Sequence, residues 1–353
     1  MKRAQLAILI IICFSVPCSL SAQNSLRDLA RPSSNKTTNR TPSDTLSGNK
    51  CDSSTLANYT ETGFSHYEQK NYAEAFKWFM KAAEQGYDLG EYDVGLLYEK
   101  GVGTVKDYAK AAFWYRRAAE KGFARAQCNL GVLLESGLGM PRSPAEAVKW
   151  YLESANQGYD KAQYNLGKCY ANGIGVEQSY TMATQWLKEA AAQGNGLAQF
   201  ELGVCYEKGL GVEKDYAMAV EYYMDAVEKR IAQAQCNLGN CYLNGMGIEQ
   251  SYSEAIYWYR RAAEQGYDMA QYNLGVCFWE GHGFTQSYPE AINYFRQAAK
   301  QNNAMAQHYL GVAYEKGLGV EQSAEEALKW YRRAARQDHK ESIEALRRLG
   351  ESY

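Results

Sequence analysis

One glycine returns at a fixed interval: Gly95, Gly131, Gly167, Gly203, Gly239, Gly275 and Gly311 follow one another every 36 residues. A period of that length marks stacked supersecondary units, none of which can bury its own apolar face alone. It therefore replaces the division into two globular domains that a chain of 353 residues would otherwise suggest. The stretch from Ala162 to Gly194 carries the repeated phrase in full, AQYNLGKCYANGIGVEQSYTMATQWLKEAAAQG.

Each unit opens with a helical pattern. In residues 160–172, Ala162, Leu166, Cys169 and Tyr170 fall at steps of three and four and so share one face. The pattern stops at paired glycines, such as Gly101 and Gly103, Gly173 and Gly175, or Gly317 and Gly319. Glycine suits a helix end that turns through the left-handed region. A second helix is expected to begin at Asp107, Ser179 or Ser251, side chains able to cap exposed amides. It continues with large aromatics among alanines, as in Ala111, Trp114, Tyr115, Ala118 and Ala119. With 46% hydrophobic and 22% charged residues, the chain can fill a large core.

Seven such units occupy residues 88–339. Residues 55–87 form a shorter first unit with Gly63, Tyr67, Tyr72, Ala75, Phe79 and Ala82, whose order of small and aromatic positions resembles a tetratricopeptide unit. Residues 340–353 hold a lone helix with Ile343, Leu346 and Leu349 on one side, which reads as a solubilising C-terminal cap. The full phrase, A-x-x-x-L-G-x-x-Y, then a G-x-G loop, then an aromatic and alanine-rich second helix, resembles the Sel-one-like repeat, a longer-looped relative of the tetratricopeptide repeat. That resemblance implies an all-α, right-handed α-solenoid of stacked antiparallel helix pairs. It also implies an adaptor or scaffold role, and its exported bacterial branch is the one the leader favours.

The leader has Lys2 and Arg3, an apolar run from Leu6 to Phe14, and small or polar residues before Gln23. This is the layout of a secretory signal peptide, residues 1–22, with a run too short to span a bilayer. Lipid attachment at Cys13 or Cys18 is the less favoured reading, because Ser15-Val16-Pro17 lacks the usual leucine and small residues. Residues 23–54, rich in Ser, Thr and Asn, are expected to form a flexible tether. Formal charge is −2 for the chain and −4 once Lys2 and Arg3 are removed, which gives no electrostatic reason to bind nucleic acid. The mature chain is expected to be periplasmic or extracellular, without an integral membrane span.

Chemistry-bearing constellations are few. Of nine cysteines, six lie in the repeats: Cys169, Cys205, Cys241 and Cys277 share one position, where Leu97, Leu133 and Ala313 stand in other units. Interchange with Leu and Ala points to small buried thiols. In the Helicobacter cysteine-rich branch of the resembled family, cysteine pairs staple the two helices of a unit. Here every repeat cysteine lies on a first helix, so that pattern is missing. No C-x-x-C pair or local Cys/His cluster suggests a metal, and no cofactor is expected. The four histidines are far apart in sequence and supply no triad. Ser47 to Lys50 spells S-x-x-K without the companion motifs of penicillin-recognising enzymes. Arg116-Arg117, Arg260-Arg261 and Arg332-Arg333 recur where other units carry acids, which reads as a solvated face.

In tetratricopeptide-like stacks the first helices line a concave groove. Carried over, that register sets Tyr92, Tyr164, Phe200, Tyr272 and His308 toward a partner, followed by Lys168 and Asn240, then Glu207 and Trp279. Rings beside carboxylates would suit an extended protein or peptide segment. The alternative, equally open at this point, is that the aromatic row packs neighbouring units. A non-enzymatic adaptor is the leading expectation. A penicillin-binding or β-lactam-hydrolysing enzyme, and a quality-control adaptor of the eukaryotic secretory lumen, are the alternatives.

Overall fold

The structure is a computed structural model that describes residues 53–351. The leader, the tether as far as residue 52, the Ser47 to Lys50 match and Cys51 lie outside the described residues. Every regular element among the described residues is a helix, and there are seventeen. They fall into two compact units that divide after Gln178.

The first unit contains α1 (Ser53–Glu68), α2 (Tyr72–Glu84), α3 (Asp88–Lys100), α4 (Tyr108–Glu120), α5 (Ala124–Ser136), α6 (Pro144–Asn156) and α7 (Asp160–Asn172). The second contains α8 (Tyr180–Ala192), α9 (Gly196–Lys208), α10 (Tyr216–Glu228), α11 (Ala232–Asn244), α12 (Tyr252–Glu264), α13 (Asp268–Glu280), α14 (Tyr288–Lys300), α15 (Ala304–Lys316), α16 (Ala324–Ala335) and α17 (Lys340–Arg348). Within each unit every helix packs on the one before and the one after it in sequence, so each is an all-α segment of solenoid type.

The repeated glycine has a packing cause. A Cβ built on Gly95 would stand 2.7 Å from the Tyr115 ring, and one on Gly131 would stand 2.6 Å from Tyr151. In the second unit Gly203, Gly239 and Gly311 meet Tyr223, Tyr259 and Tyr331 in the same way, and Gly275 meets Phe295. Every second helix except α8, which has Leu187 at this position, thus carries a fully buried ring there. Buried alanines flank these rings, among them Ala111 and Ala118 or Ala255 and Ala262, and bring the helices close. Each fully buried ring of this size contributes on the order of 1.5–3 kcal/mol.

The paired glycines do two different jobs. Gly101 is the left-handed residue that ends α3, its amide bonded to the Leu97 carbonyl. Gly103 lies so close to α2 that a Cβ would fall 2.1 Å from the Tyr72 carbonyl oxygen. The loop is therefore a packing element laid on the start of the preceding second helix. Second helices begin at the expected caps: Asp107 accepts from the Lys110 amide, Ser179 from Met182 and Ser251 from Glu254. In α17, Leu346 is fully buried, while Leu349, expected on the same apolar side, is exposed because the helix ends before it.

Neutral amide pairs clip helix ends together. The Nε2 group of the residue ending a second helix donates to the first helix of the same repeat: Gln157 to Gln127, Gln265 to Gln235, Gln301 to Gln271 and Gln337 to Gln307, at 2.7–3.0 Å. Gln301 also reaches the Gly266 carbonyl at the end of the preceding second helix. Two of the 36-residue repeats depart from this scheme: Lys229 stands at the clip position opposite Gln199, whose Oε1 has no hydrogen-bond partner, and Lys121 stands opposite Glu91. Glu91, fully buried, accepts from Arg117 at 2.9 Å and Lys121 at 2.6 Å, an ion cluster in the place of the amide pair. Arg117, expected in solvent, is therefore half engaged with a buried acid.

Candidate partner-binding face

The residues expected to face a partner divide by burial. Tyr92, Glu207, Tyr272 and Trp279 are buried inside the chain, whereas Tyr164, Lys168, Phe200, Asn240 and His308 are partly accessible. In the first unit the Tyr92 ring packs 5.8 Å from Tyr115 and 5.2 Å from Phe123, bridging two repeats. Glu99 accepts from the Tyr115 hydroxyl at 2.7 Å, and Glu135 from Tyr151 at 2.9 Å. The accessible pair on α7 is Tyr164 with the Lys168 ammonium 5.7 Å over its ring.

In the second unit the same carboxylate position anchors tyrosines, with Glu207 taking Tyr223 at 2.5 Å and Glu315 taking Tyr331 at 2.6 Å. Burial, then the adjacent Glu207, pushes the Tyr223 hydroxyl well above its ordinary range. Where α11 has Leu243, the Tyr259 hydroxyl turns instead to Asn240 at 2.7 Å, and Asn240 also accepts from Asn273 at 3.1 Å. Asn237 donates to the Tyr223 hydroxyl at 3.1 Å, beside Phe200, whose ring lies 6.2 Å from Tyr223. The half-buried Phe200 ring on α9 and the amides of Asn237 and Asn240 on α11 are thus set around these buried tyrosines.

Between α13 and α15 this polar scheme gives way to rings. Trp279 stands where a carboxylate stands elsewhere, and the ring below it is Phe295, which needs no acceptor. Tyr309 gathers the group: its ring lies 5.4 Å from Trp279, 5.9 Å from Tyr272, 4.8 Å from Phe295 and 6.0 Å from His308. Three of the residues named from sequence therefore converge on a fourth that was not. The signal for Tyr309 is its position, where Asn129, Asn165, Asn237 and Asn273 stand in other repeats. Tyr309 and His308 remain partly accessible over this cluster.

The other chemistry-bearing groups are enclosed. The six repeat cysteines are buried thiols joined in no disulfide, and burial pushes those of Cys169, Cys205, Cys241 and Cys277 up to about 12, leaving them poor nucleophiles. Asp93 is buried with neither oxygen hydrogen-bonded, and burial pushes its carboxyl well above the usual carboxylate range. Ser342, the serine nearest a histidine pair, is completely buried. Among the described residues no group of three or more His, Cys, Asp or Glu side chains could hold a metal, and no helix is long and apolar enough to cross a membrane.

Comparison with known proteins agrees with this architecture. The Sel1 repeat pattern matches residues 56–87, 89–123, 124–159, 160–195, 196–223, 232–267, 268–303 and 304–339. Among solved structures, the chain is similar to a protective antigen of uropathogenic Escherichia coli strains that displays an SLR fold, with 37% identity and a TM-score of 0.71. That likeness covers 82% of this chain, which spans 63% of the antigen. A Sel1 repeat protein from Oxalobacter formigenes is 35% identical, with a TM-score of 0.63 over 68% of this chain and 96% of that one. No curated protein matches. Sel1 repeat proteins are in general non-enzymatic scaffolds for protein interactions. With eight matched repeats built from helix pairs that close over one glycine, the chain belongs to the Sel1 repeat family.

Proposed function

We propose that this chain is a non-enzymatic scaffold, exported to the periplasm or cell exterior, that holds an extended protein segment along the first helices of its second unit. The observation that supports this reading is the break in the repeat at α13 and α15. There Trp279 and Tyr309 replace the usual acid and amide, and leave Tyr309 and His308 accessible above a ring cluster. Phe200 and Asn240, also partly accessible, extend the face along α9 and α11. Rings contribute apolar burial to an extended ligand, while amides fix its register through main-chain hydrogen bonds. On the first unit, Tyr164 and Lys168 offer a smaller face of the same kind.

Position-specific crosslinking tests the assignment. A photoreactive residue at Phe200 or Tyr309 should capture a defined partner in the native cell, and one at the exposed second-helix residues Phe113 or Tyr257 should not. Equal capture from both sets would place the interface elsewhere. Nitrocefin turnover by the purified chain would instead favour the hydrolase reading.

A further inference from the structure

Where one repeat meets the next, the residue three before the repeat glycine touches the residue that precedes the next first helix. In the first unit this contact is aromatic and apolar, Tyr92 on Phe123 at 5.2 Å. At the C-terminal end of the second unit it is His308 on His339, ring centroids 4.9 Å apart. Ser342 lies between them, completely buried, with its Oγ 2.9 Å from His308 Nδ1 and 3.1 Å from His339 Nδ1. Its position in α17 corresponds to Ala126, Ala162, Ala198, Ala234, Ala270 and Ala306 in other first helices. A buried hydroxyl has replaced a methyl at the same place where two imidazoles stand in the positions that Tyr92 and Phe123 hold in the first unit.

One arrangement of protons satisfies the whole cluster. His339 caps α17, and its Nδ1 accepts the Ser342 amide at 3.3 Å. That nitrogen must therefore carry a lone pair, with the ring proton on Nε2. The Ser342 hydroxyl then donates to His339 Nδ1 and accepts from His308 Nδ1–H. A proton added at His339 Nδ1 removes the acceptor of both bonds. It also sets a positive charge at the positive end of the α17 dipole and beside His308. A proton added to His308 creates a partly buried cation next to Tyr331, 5.5 Å away.

From this geometry we infer that α17 is an acid-released cap: protonation of the His308–Ser342–His339 cluster frees the helix from α16 and uncovers the end of the second unit. The face uncovered consists of Ala327, Tyr331 and Ala335, with Val312 and Leu328 at its edge, now covered by Leu346, Ala345 and Ile343. It is the kind of face on which every earlier repeat seats its successor.

Other charges near the cluster oppose one another. Glu341 on α17 lies 3.5 Å from His339 Nδ1, and Glu341 and Glu315 both favour a charged His308. From α15 and α16 the neighbours are Tyr309 and Tyr331, with Tyr272 of α13 behind Tyr309. Burial outweighs the two acids and pushes His308 down to about 4, and it lowers His339 as well. Because the folded values lie below that of a free imidazole, about 6.5, docking is complete above that pH and weakens as pH falls toward 4. Arg348 grips Glu315 through two nitrogens at 2.6 and 2.9 Å and holds that carboxyl below its usual range, so this latch stays charged through the window. The histidines are therefore the groups that change.

Hydrogen exchange of the full chain, read by mass spectrometry at pH 7.5 and 5.0 and corrected for the intrinsic pH dependence, tests the cap. His308 alone should raise α17 opening relative to α13 by about 30-fold between those pH values. A double variant, His308→Phe with His339→Asn, uses residues the chain already places at these positions, Phe200 before α9's glycine and Asn303 capping α15. It should fold and lose the response. Equal changes in α17 and α13, or an undiminished response in the variant, would overturn the proposal. Ring-proton titration of the unaltered chain gives a second reading: His308 should titrate below 6.5 together with α17 release, and an unshifted midpoint would also overturn it.

Discussion

The presence or absence of one buried hydroxyl sets the polarity of a repeat. Tyr223 needs an acceptor and finds Glu207; Phe295, at the equivalent place, needs none and sits under Trp279. Tyr223→Phe should therefore lower stability by about 1–3 kcal/mol, because it leaves a buried carboxylate without its donor. Phe295→Tyr should lower it by a similar amount for the converse reason, an added hydroxyl with no acceptor. Urea midpoints of the two variants check both signs. The helical period in the sequence set Glu207 on one face with Phe200 and Val204. It carried no information that a ring from the following helix is long enough to take that carboxylate up. Period fixes the direction in which a side chain leaves a helix, and the neighbour that meets it depends on the second helix. The same limit hid Tyr309, the one ring in a row otherwise of asparagines and the acids Asp93 and Glu201, whose importance depends on Trp279 one repeat earlier.

Helix ends were the most legible elements, because caps and left-handed glycines act locally. The span expected for the first helix of the central unit, residues 160–172, is that of α7. The difference between the two loop glycines was invisible, since it arises from contact with the preceding repeat. Gly101→Ala should lower stability by about 1 kcal/mol, chiefly through backbone strain, since its Cβ would meet only the Lys106 Cβ at 3.0 Å and that residue's backbone beyond it. Gly103→Ala should lower it further, by at least another 1–2 kcal/mol, because its methyl would enter the α2 backbone. Thermal denaturation of the pair gives the order, and a larger loss at Gly101 would contradict it. At the other end of these helices, Glu91→Gln should strand the cations of Lys121 and Arg117 and lower stability by about 1–3 kcal/mol. Adding Lys121→Gln should recover part of that loss by recreating the amide pair of the other repeats, which a double-mutant cycle would show as coupling.

Across the molecule, stability should be read repeat by repeat, because each helix packs on its sequence neighbours. Phe295→Ala removes a ring at the centre of the α13–α15 cluster and should loosen that region by about 3–5 kcal/mol. Hydrogen exchange should rise in α13, α14 and α15 while the amides of α3 and α5, in the other unit, keep their protection. Uniform loss of protection would instead indicate a single cooperative body. The glutamine clips bear on how such a chain changes length. Each glutamine carries its own donor and acceptor, so a clip formed by Gln235 and Gln265 asks the same of its neighbours as one formed by Gln271 and Gln301. Between such amide clips a tract of 36 residues can then be gained or lost in register without stranding a charge, unlike at Glu91, where the ion cluster ties one repeat to its own complement, or at Lys229, which brings a charge opposite Gln199.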